Sequence, residues 1–129
     1  MEIAQSVETV LVVEDDEMLL DVVKIVLEGQ GFYVLAAKDG AEALEIYAHH
    51  KDEIAVVLSD MGLPSLSGWE ILHKMKGINP NAKIILSSGY SDPAIRSEML
   101  KAGATEFVAK PYDVGELTKK MRGILETTV

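Results

Sequence analysis

The sequence predicts an α/β domain: a five-stranded parallel sheet with helices on both faces. Two observations carry this. Short apolar runs alternate strictly with helical stretches along the chain, and three of those runs are almost unbroken Val, Ile and Leu. Unbroken apolar strands are what sheets buried on both faces contain. Five consecutive strand–helix units then call for crossover helices that cover a parallel sheet.

Taken in order, Thr9–Val13 reads as the first strand. A helix from about Glu17 to Glu28 follows, with Leu20, Val23 and Leu27 on one face and Gly29 placed to end it. Phe32–Ala36 is a shorter, more mixed strand, as edge strands are. The second helix closes on His49-His50-Lys51, where positive charge favours the helix dipole. Ile54–Ser59 is the third strand. Ser67-Gly-Trp-Glu70 is a capping box that starts the third helix, and Gly77 is placed to end it. Lys83–Ser87 is the fourth strand. Asp92-Pro93 pairs an N-cap with a proline at the first helical position, and Gly103 is placed to end that fourth helix. Glu106–Ala109 is the last strand, at an edge. Asp113-Val-Gly-Glu116 reads as a second capping box. It opens a helix with Val114, Leu117, Met121 and Ile124 at helical spacing and Lys119, Lys120 and Arg122 between them. His73 reads as a surface residue, and the methionines as core filler.

The 129 residues suffice for one domain, with residues 1–8 as an N-terminal extension, 9–126 as the domain and 127–129 as a tail. The chain has no cysteine, which excludes disulfides and thiolate metal sites. Its start has no signal-peptide pattern, and its apolar runs are too short to span a bilayer, so a soluble, cytoplasmic domain is expected. A formal charge of -9 would repel phosphate backbones and argues against direct nucleic-acid binding.

Right-handed crossovers leave few arrangements of five parallel strands, the commonest being the flavodoxin-like order 2-1-3-4-5. Ligands of such a sheet bind beyond the carboxyl ends of the strands, where the winding reverses between strands 1 and 3. There the first strand runs into Glu14-Asp15-Asp16-Glu17, the third into Asp60, the fourth into Ser87-Ser88-Gly89 and the fifth into Lys110. Each has a structural explanation on its own; acids at a helix start, for example, favour the dipole. The coincidence of all four is harder to explain that way. Converging carboxylates repel, and a hard cation with oxygen ligands removes the conflict. Mg²⁺, which keeps several waters and shares phosphate oxygens, suits such a site, and Mn²⁺ should substitute.

At these residues the chain resembles bacterial response-regulator receiver domains. Val10-Leu-Val-Val-Glu-Asp-Asp16 looks like their acidic first-strand motif. Ser59-Asp-Met-Gly-Leu-Pro-Ser-Leu-Ser-Gly68 looks like their phosphoacceptor segment, with the proline four residues and the glycine eight residues after Asp60. Ile84-Ile-Leu-Ser-Ser-Gly89 and Phe107-Val-Ala-Lys-Pro111 look like their fourth- and fifth-strand motifs, and the resemblance implies a cis bond before Pro111. It further implies that Asp60 is the nucleophile that becomes an aspartyl phosphate. Asp15 would bind Mg²⁺ directly, Glu14 directly or through water, and Gly62 through its backbone carbonyl. Ser88 would hydrogen-bond the phosphoryl group and Lys110 would pair with it, while Asp16 is left as a first-turn helix acid. Ser88 and Phe107 would form a switch, with Phe107 rotating into space that Ser88 vacates. Gly62 and Tyr90 would flank the path of a hydrolytic water and tune the loss of phosphate.

The implied function is a phosphoacceptor receiver in two-component signal transduction, a regulatory domain whose only chemistry is its own phosphorylation and dephosphorylation. The donor would be a phosphohistidine on a sensor histidine kinase or a histidine phosphotransfer protein. With no GxxxxGK[ST] motif, ATP is not expected as the direct donor. A downstream protein would bind the face of helix 4, strand 5 and helix 5, and the same face suits a phosphorylation-dependent homodimer. Ser88-Gly-Tyr90 and Lys110-Pro-Tyr-Asp113 look most like receivers attached to sensor histidine kinases. The same fold could instead serve a flavin- or nucleotide-binding protein. The acidic loop after the first strand opposes an FMN phosphate. A Mg²⁺-dependent phosphatase with an aspartate nucleophile is the other alternative, but the position where such enzymes usually carry a second acid is Gly62.

Overall fold

The structure is a computed structural model that describes residues 8–63, 66–89, 93–110 and 113–126. Its elements are β1 (Thr9–Val13), α1 (Glu17–Gly29), β2 (Tyr33–Ala37), α2 (Gly40–His50), β3 (Ile54–Asp60), α3 (Gly68–Ile78), β4 (Ile84–Ser88), α4 (Pro93–Lys101), β5 (Glu106–Ala109) and α5 (Val114–Glu126). All strand pairs are parallel, in the order β2-β1-β3-β4-β5, as the alternation predicts.

The sheet divides the core in two. Leu11, Val13, Val57, Ile84, Leu86 and Phe107 project toward α2, α3 and α4, where they meet Tyr47, Ile71, Leu72, Met75 and Met99. Val10, Val12, Val56, Leu58, Ile85 and Val108 project the other way, against Leu20, Val23 and Leu27 of α1 and Leu117 and Met121 of α5. Successive strand residues point to opposite faces, so strands apolar at every position serve both layers. Each fully buried Leu, Ile or Met stabilises the fold by roughly 1.5–3 kcal/mol relative to exposure.

Helix ends set the loop geometry. Gly103, at φ 114°, ends α4 as expected: its N–H donates to Leu100 O at 3.2 Å and that of Ala104 to Met99 O at 3.0 Å. Gly29 is the last residue of α1, whereas Gly77 lies one residue inside α3, which runs on to Ile78. The left-handed residue after α1 is Gly31, at φ 96°. Its N–H donates to Glu28 O and that of Phe32 to Leu27 O, at 3.0 and 3.1 Å. This commits the Phe32 N–H to the helix end, so β2 begins at Tyr33 rather than Phe32. β4 is likewise displaced by one residue from the expected span, to Ile84–Ser88.

The Ser67–Glu70 capping box is present in both directions. Asp113 shows the forward half of its box, accepting from Glu116 N–H at 3.2 Å. Asp16 is the N-cap of α1, not a first-turn acid: its side chain accepts from Met18 N and Leu19 N. His73 is exposed, and Met75, Met99 and Met121 are buried. Met18, at 80% exposure, is no core filler. Pro64, Tyr90, Asp92, Pro111 with its expected cis bond, and the tail 127–129 lie outside the described residues.

Because the Ser67 cap is the last polar fastening before α3, Ser67→Ala is expected to cost about 1 kcal/mol. That would lower the thermal midpoint by about 3–6 °C. An unchanged midpoint in calorimetry would show that the cap contributes nothing.

Candidate functional site

The carboxyl ends of β1, β3, β4 and β5 meet at one edge of the sheet, and the predicted residues gather there. Glu14 follows β1 and is pinned by its N–H, which donates to Ala37 O at 3.0 Å. Its side chain is buried, and both carboxylate oxygens have partners. Oε1 accepts from Lys110 Nζ at 2.7 Å and Oε2 from Asp16 N–H at 3.1 Å. Asp60 is the last residue of β3 and is 9% exposed. Its Oδ1 accepts from Gly62 N–H at 3.1 Å, and its Oδ2 lies 3.2 Å from Lys110 Nζ. The Lys110 ammonium therefore bridges the two buried acids.

Asp15 is exposed, and its carboxylate joins those of Glu14 and Asp60 with ligand atoms all within 4.8 Å of one another. Three carboxylates against one ammonium leave the cluster short of positive charge. Oxygen donors, an excess of negative charge and an open side at Asp15 fit a hard divalent cation of the Mg²⁺ type. Burial pushes the Glu14 carboxyl above its ordinary range, and the nearby Asp60 charge adds to the rise. The Lys110 ammonium and the Asp16 N–H offset this only in part.

Asp60 pairs in register with Ser87, so Ser88 stands one step further out, half-buried at the tip of β4. Its carbonyl accepts the Lys110 N–H at 2.9 Å, which ties β5 to the rim of the site. Gly62 is exposed, and a Cβ there would come no nearer than 3.9 Å to Asp60 Oδ1, so this approach is open. Phe107 is 5% exposed, already inside the same buried cluster as Leu86 and Met99. Tyr90 lies outside the described residues.

Two features escaped the sequence reading. One is the Glu14–Lys110 pair, which spans 96 positions and has no local signal. The other is a pair of fully buried hydroxyls: Ser59 Oγ donates to Asp60 O at 3.2 Å and Ser87 Oγ to Ser59 O at 3.4 Å. Two serines at the ends of otherwise aliphatic strands were the available sign of it.

The comparisons agree with this geometry. Residues 10–122 match the family model described as the response regulator receiver domain. A probable transcriptional regulatory protein, TcrX of Mycobacterium tuberculosis, is 31% identical over 120 residues, which cover 93% of this chain and 50% of that protein. Sporulation initiation phosphotransferase F of Bacillus subtilis is 30% identical over 118 residues, covering 92% of this chain and 94% of that protein. A receiver domain protein from Clostridium thermocellum superposes with a TM-score of 0.89 at 32% identity, covering 93% and 95% of the two chains. The chain spans half or less of the length of several of its curated relatives.

A carboxyl whose pKa is raised on folding binds protons more readily folded than unfolded. The Glu14 charge therefore opposes folding at neutral pH, and that penalty is relieved as pH falls through the raised value. Metal-free Glu14→Gln should melt higher than wild type at pH 7.5, with the gap narrowing toward pH 5. Calorimetry at several pH values checks this; a gap independent of pH would be the contrary result.

Proposed function

The chain belongs to the response regulator receiver domain family, and from that premise we propose that Asp60 accepts a phosphoryl group from a phosphohistidine on a partner protein. Receivers are regulatory phosphoacceptors of two-component signalling rather than enzymes in the usual sense. The family match, together with the acidic cluster, displaces the flavin-binding and phosphatase alternatives.

The observation that carries the residue assignment is the Lys110 ammonium placed between Glu14 and Asp60. Phosphoryl transfer asks for positioning and charge stabilisation more than for covalent help. One contact per oxygen orients the Asp60 carboxylate: Gly62 N–H on Oδ1 and Lys110 on Oδ2. An Asp60 oxygen attacks phosphorus in line as the bond to the donor imidazole nitrogen breaks, and the imidazole leaves with that electron pair. Lys110 then follows the new charge onto a phosphoryl oxygen, with Ser88 supplying a hydroxyl at the rim. Asp15, Asp60 and the Gly62 carbonyl would hold Mg²⁺, with Glu14 as a direct or water-mediated ligand; when bound, the ion offsets charge on the transferring oxygens. Mn²⁺ would serve in its place.

Signal output is proposed to run from Ser88 through β4 and β5 to the face of α4, β5 and α5, where a downstream protein or a second copy would bind. Phe107 holds that face from inside. Gly62 and Tyr90 are proposed to tune the lifetime of the phosphate. Among the described residues no helix is long and apolar enough to cross a membrane.

The donor needs a surface beside the site. Met18, Val22 and Ile25 are exposed on α1 at 80%, 53% and 68%, spaced along one side of the helix that Asp16 caps. Exposed Glu17, Asp21 and Glu28 lie around them. A phosphohistidine protein with an apolar patch and a basic rim would fit this stripe while covering the site.

With Mg²⁺ and a small phosphodonor, mass spectrometry should find one phosphoryl group on the wild type and none on Asp60→Asn. Equal labelling of both would sink the assignment. Ile25→Asp should slow transfer from a phosphohistidine donor by about tenfold or more while leaving the small-donor rate unchanged. Equal effects on both donors would remove α1 as the docking surface.

A further inference from the structure

Gly40, the first residue of α2, is buried at a point where no side chain fits. A Cβ added there would lie 2.6 Å from Leu66 Cβ, 3.0 Å from Leu66 Cδ1 and 3.1 Å from Ile71 Cδ1. Carbon atoms in contact sit about 3.5–4.0 Å apart, so something would have to move by about 1 Å. The Gly40 backbone is not left-handed; the requirement is for space.

Of the two sides of this contact, α2 is the firmer. Asp39 caps it by accepting from Glu42 N–H at 2.8 Å, and Glu42 Oε1 accepts from Lys38 N–H at 2.7 Å. Ala43 and Tyr47 then anchor the helix in the core. Leu66 lies between β3 and α3, in the stretch that leaves Asp60. That stretch is closed at its far end, where Gly68 N–H donates to Met61 O at 3.1 Å. A Cβ at Gly68 would stand 2.8 Å from Met61 Cα. Two glycines thus make close backbone approaches near the site, Gly68 to Met61 and Gly40 to Leu66. Leu66 stands two residues before Gly68, whose N–H is bonded to Met61 O, so displacing Leu66 would strain the backbone between Asp60 and Gly62, whose N–H holds Asp60 Oδ1.

We propose that Gly40 is a positioning residue for the phosphoacceptor site: its missing side chain lets Leu66 seat against α2, and that seat holds Gly62 in place beside Asp60. This rests on the phosphoacceptor reading above and adds a residue that touches neither the phosphoryl group nor the ion. A merely structural glycine would alter stability and leave the folded site's Mg²⁺ affinity unchanged.

The test is a double-mutant cycle of wild type, Gly40→Ala, Leu66→Gly and the pair. Mg²⁺ affinity is read by titration calorimetry and the small-donor phosphorylation rate by mass spectrometry, at a temperature where circular dichroism shows all four folded. A misplacement of about 1 Å can cost up to ~10²-fold. Gly40→Ala should therefore lower Mg²⁺ affinity and rate by about 10- to 100-fold in the Leu66 background. With Leu66→Gly the two closest contacts are gone and only Ile71 Cδ1, the flexible end of its side chain at 3.1 Å, remains, so the same substitution should change both by less than about twofold. Equal fold-changes in the two backgrounds, or none in either, overturn the proposal. Should Gly40→Ala fail to fold, Leu66→Gly alone decides, since it removes the seat without adding an atom: weakened Mg²⁺ binding supports the proposal and unchanged binding overturns it. A wild type that neither binds Mg²⁺ nor is labelled at Asp60 overturns the phosphoacceptor reading along with it. One that does both and is indifferent to Gly40 overturns this inference alone.

Discussion

Lys110 has to serve two buried acids at once, and much of the structure around the site follows from that. Its ammonium lies 2.7 Å from Glu14 and 3.2 Å from Asp60, on strands that are not its own neighbours. β5 is two strand spacings from β3, roughly 10 Å across the sheet. Only a long side chain with a compact charge reaches that far and still serves two partners. Without it, two carboxylates at 2% and 9% exposure would face each other with no positive charge between them. The arrangement is costly as well as useful, because buried ion pairs recover only part of what desolvation takes. The raised pKa of Glu14 is the visible remainder of that cost.

The sheet supplies the rigidity this needs. Both layers of core pack against the same strands, so the strand tips are held from two sides by Leu, Ile, Val and Met that are almost wholly buried. The site occupies the last residues of β3 and β4 and the residues just after β1 and β5, next to strand positions that are mostly buried. Buried Ser59 and Ser87 extend that order one layer outward, their hydroxyls donating to the carbonyls of Asp60 and Ser59.

Much of this was legible in the sequence, because its causes are local. Strand identity followed from apolar runs, helix starts from Ser67 and Asp113, and the end of α4 from Gly103. The site residues were legible because a parallel sheet sends its carboxyl ends to one edge, so the residues after β1, β3, β4 and β5 must meet. The errors were also local. Gly29 does close α1, but the left-handed turn after it is at Gly31, and the Phe32 N–H bonded back to Leu27 O makes β2 start one residue later than expected.

By itself the sequence determined the elements, their order, the strand topology and the set of chemical groups delivered to the crevice. These depend on periodicity, capping and chain connectivity, all of which act over a few residues or follow from handedness. The tertiary structure alone decided that Glu14 spends both oxygens inside the protein, that Phe107 is buried, that Met18, Val22 and Ile25 stay uncovered, and that Gly40 leaves room for Leu66. Each of these depends on how far a side chain reaches or how closely two distant backbones approach. Such distances are set by packing the whole core at once, and no short stretch of sequence encodes them.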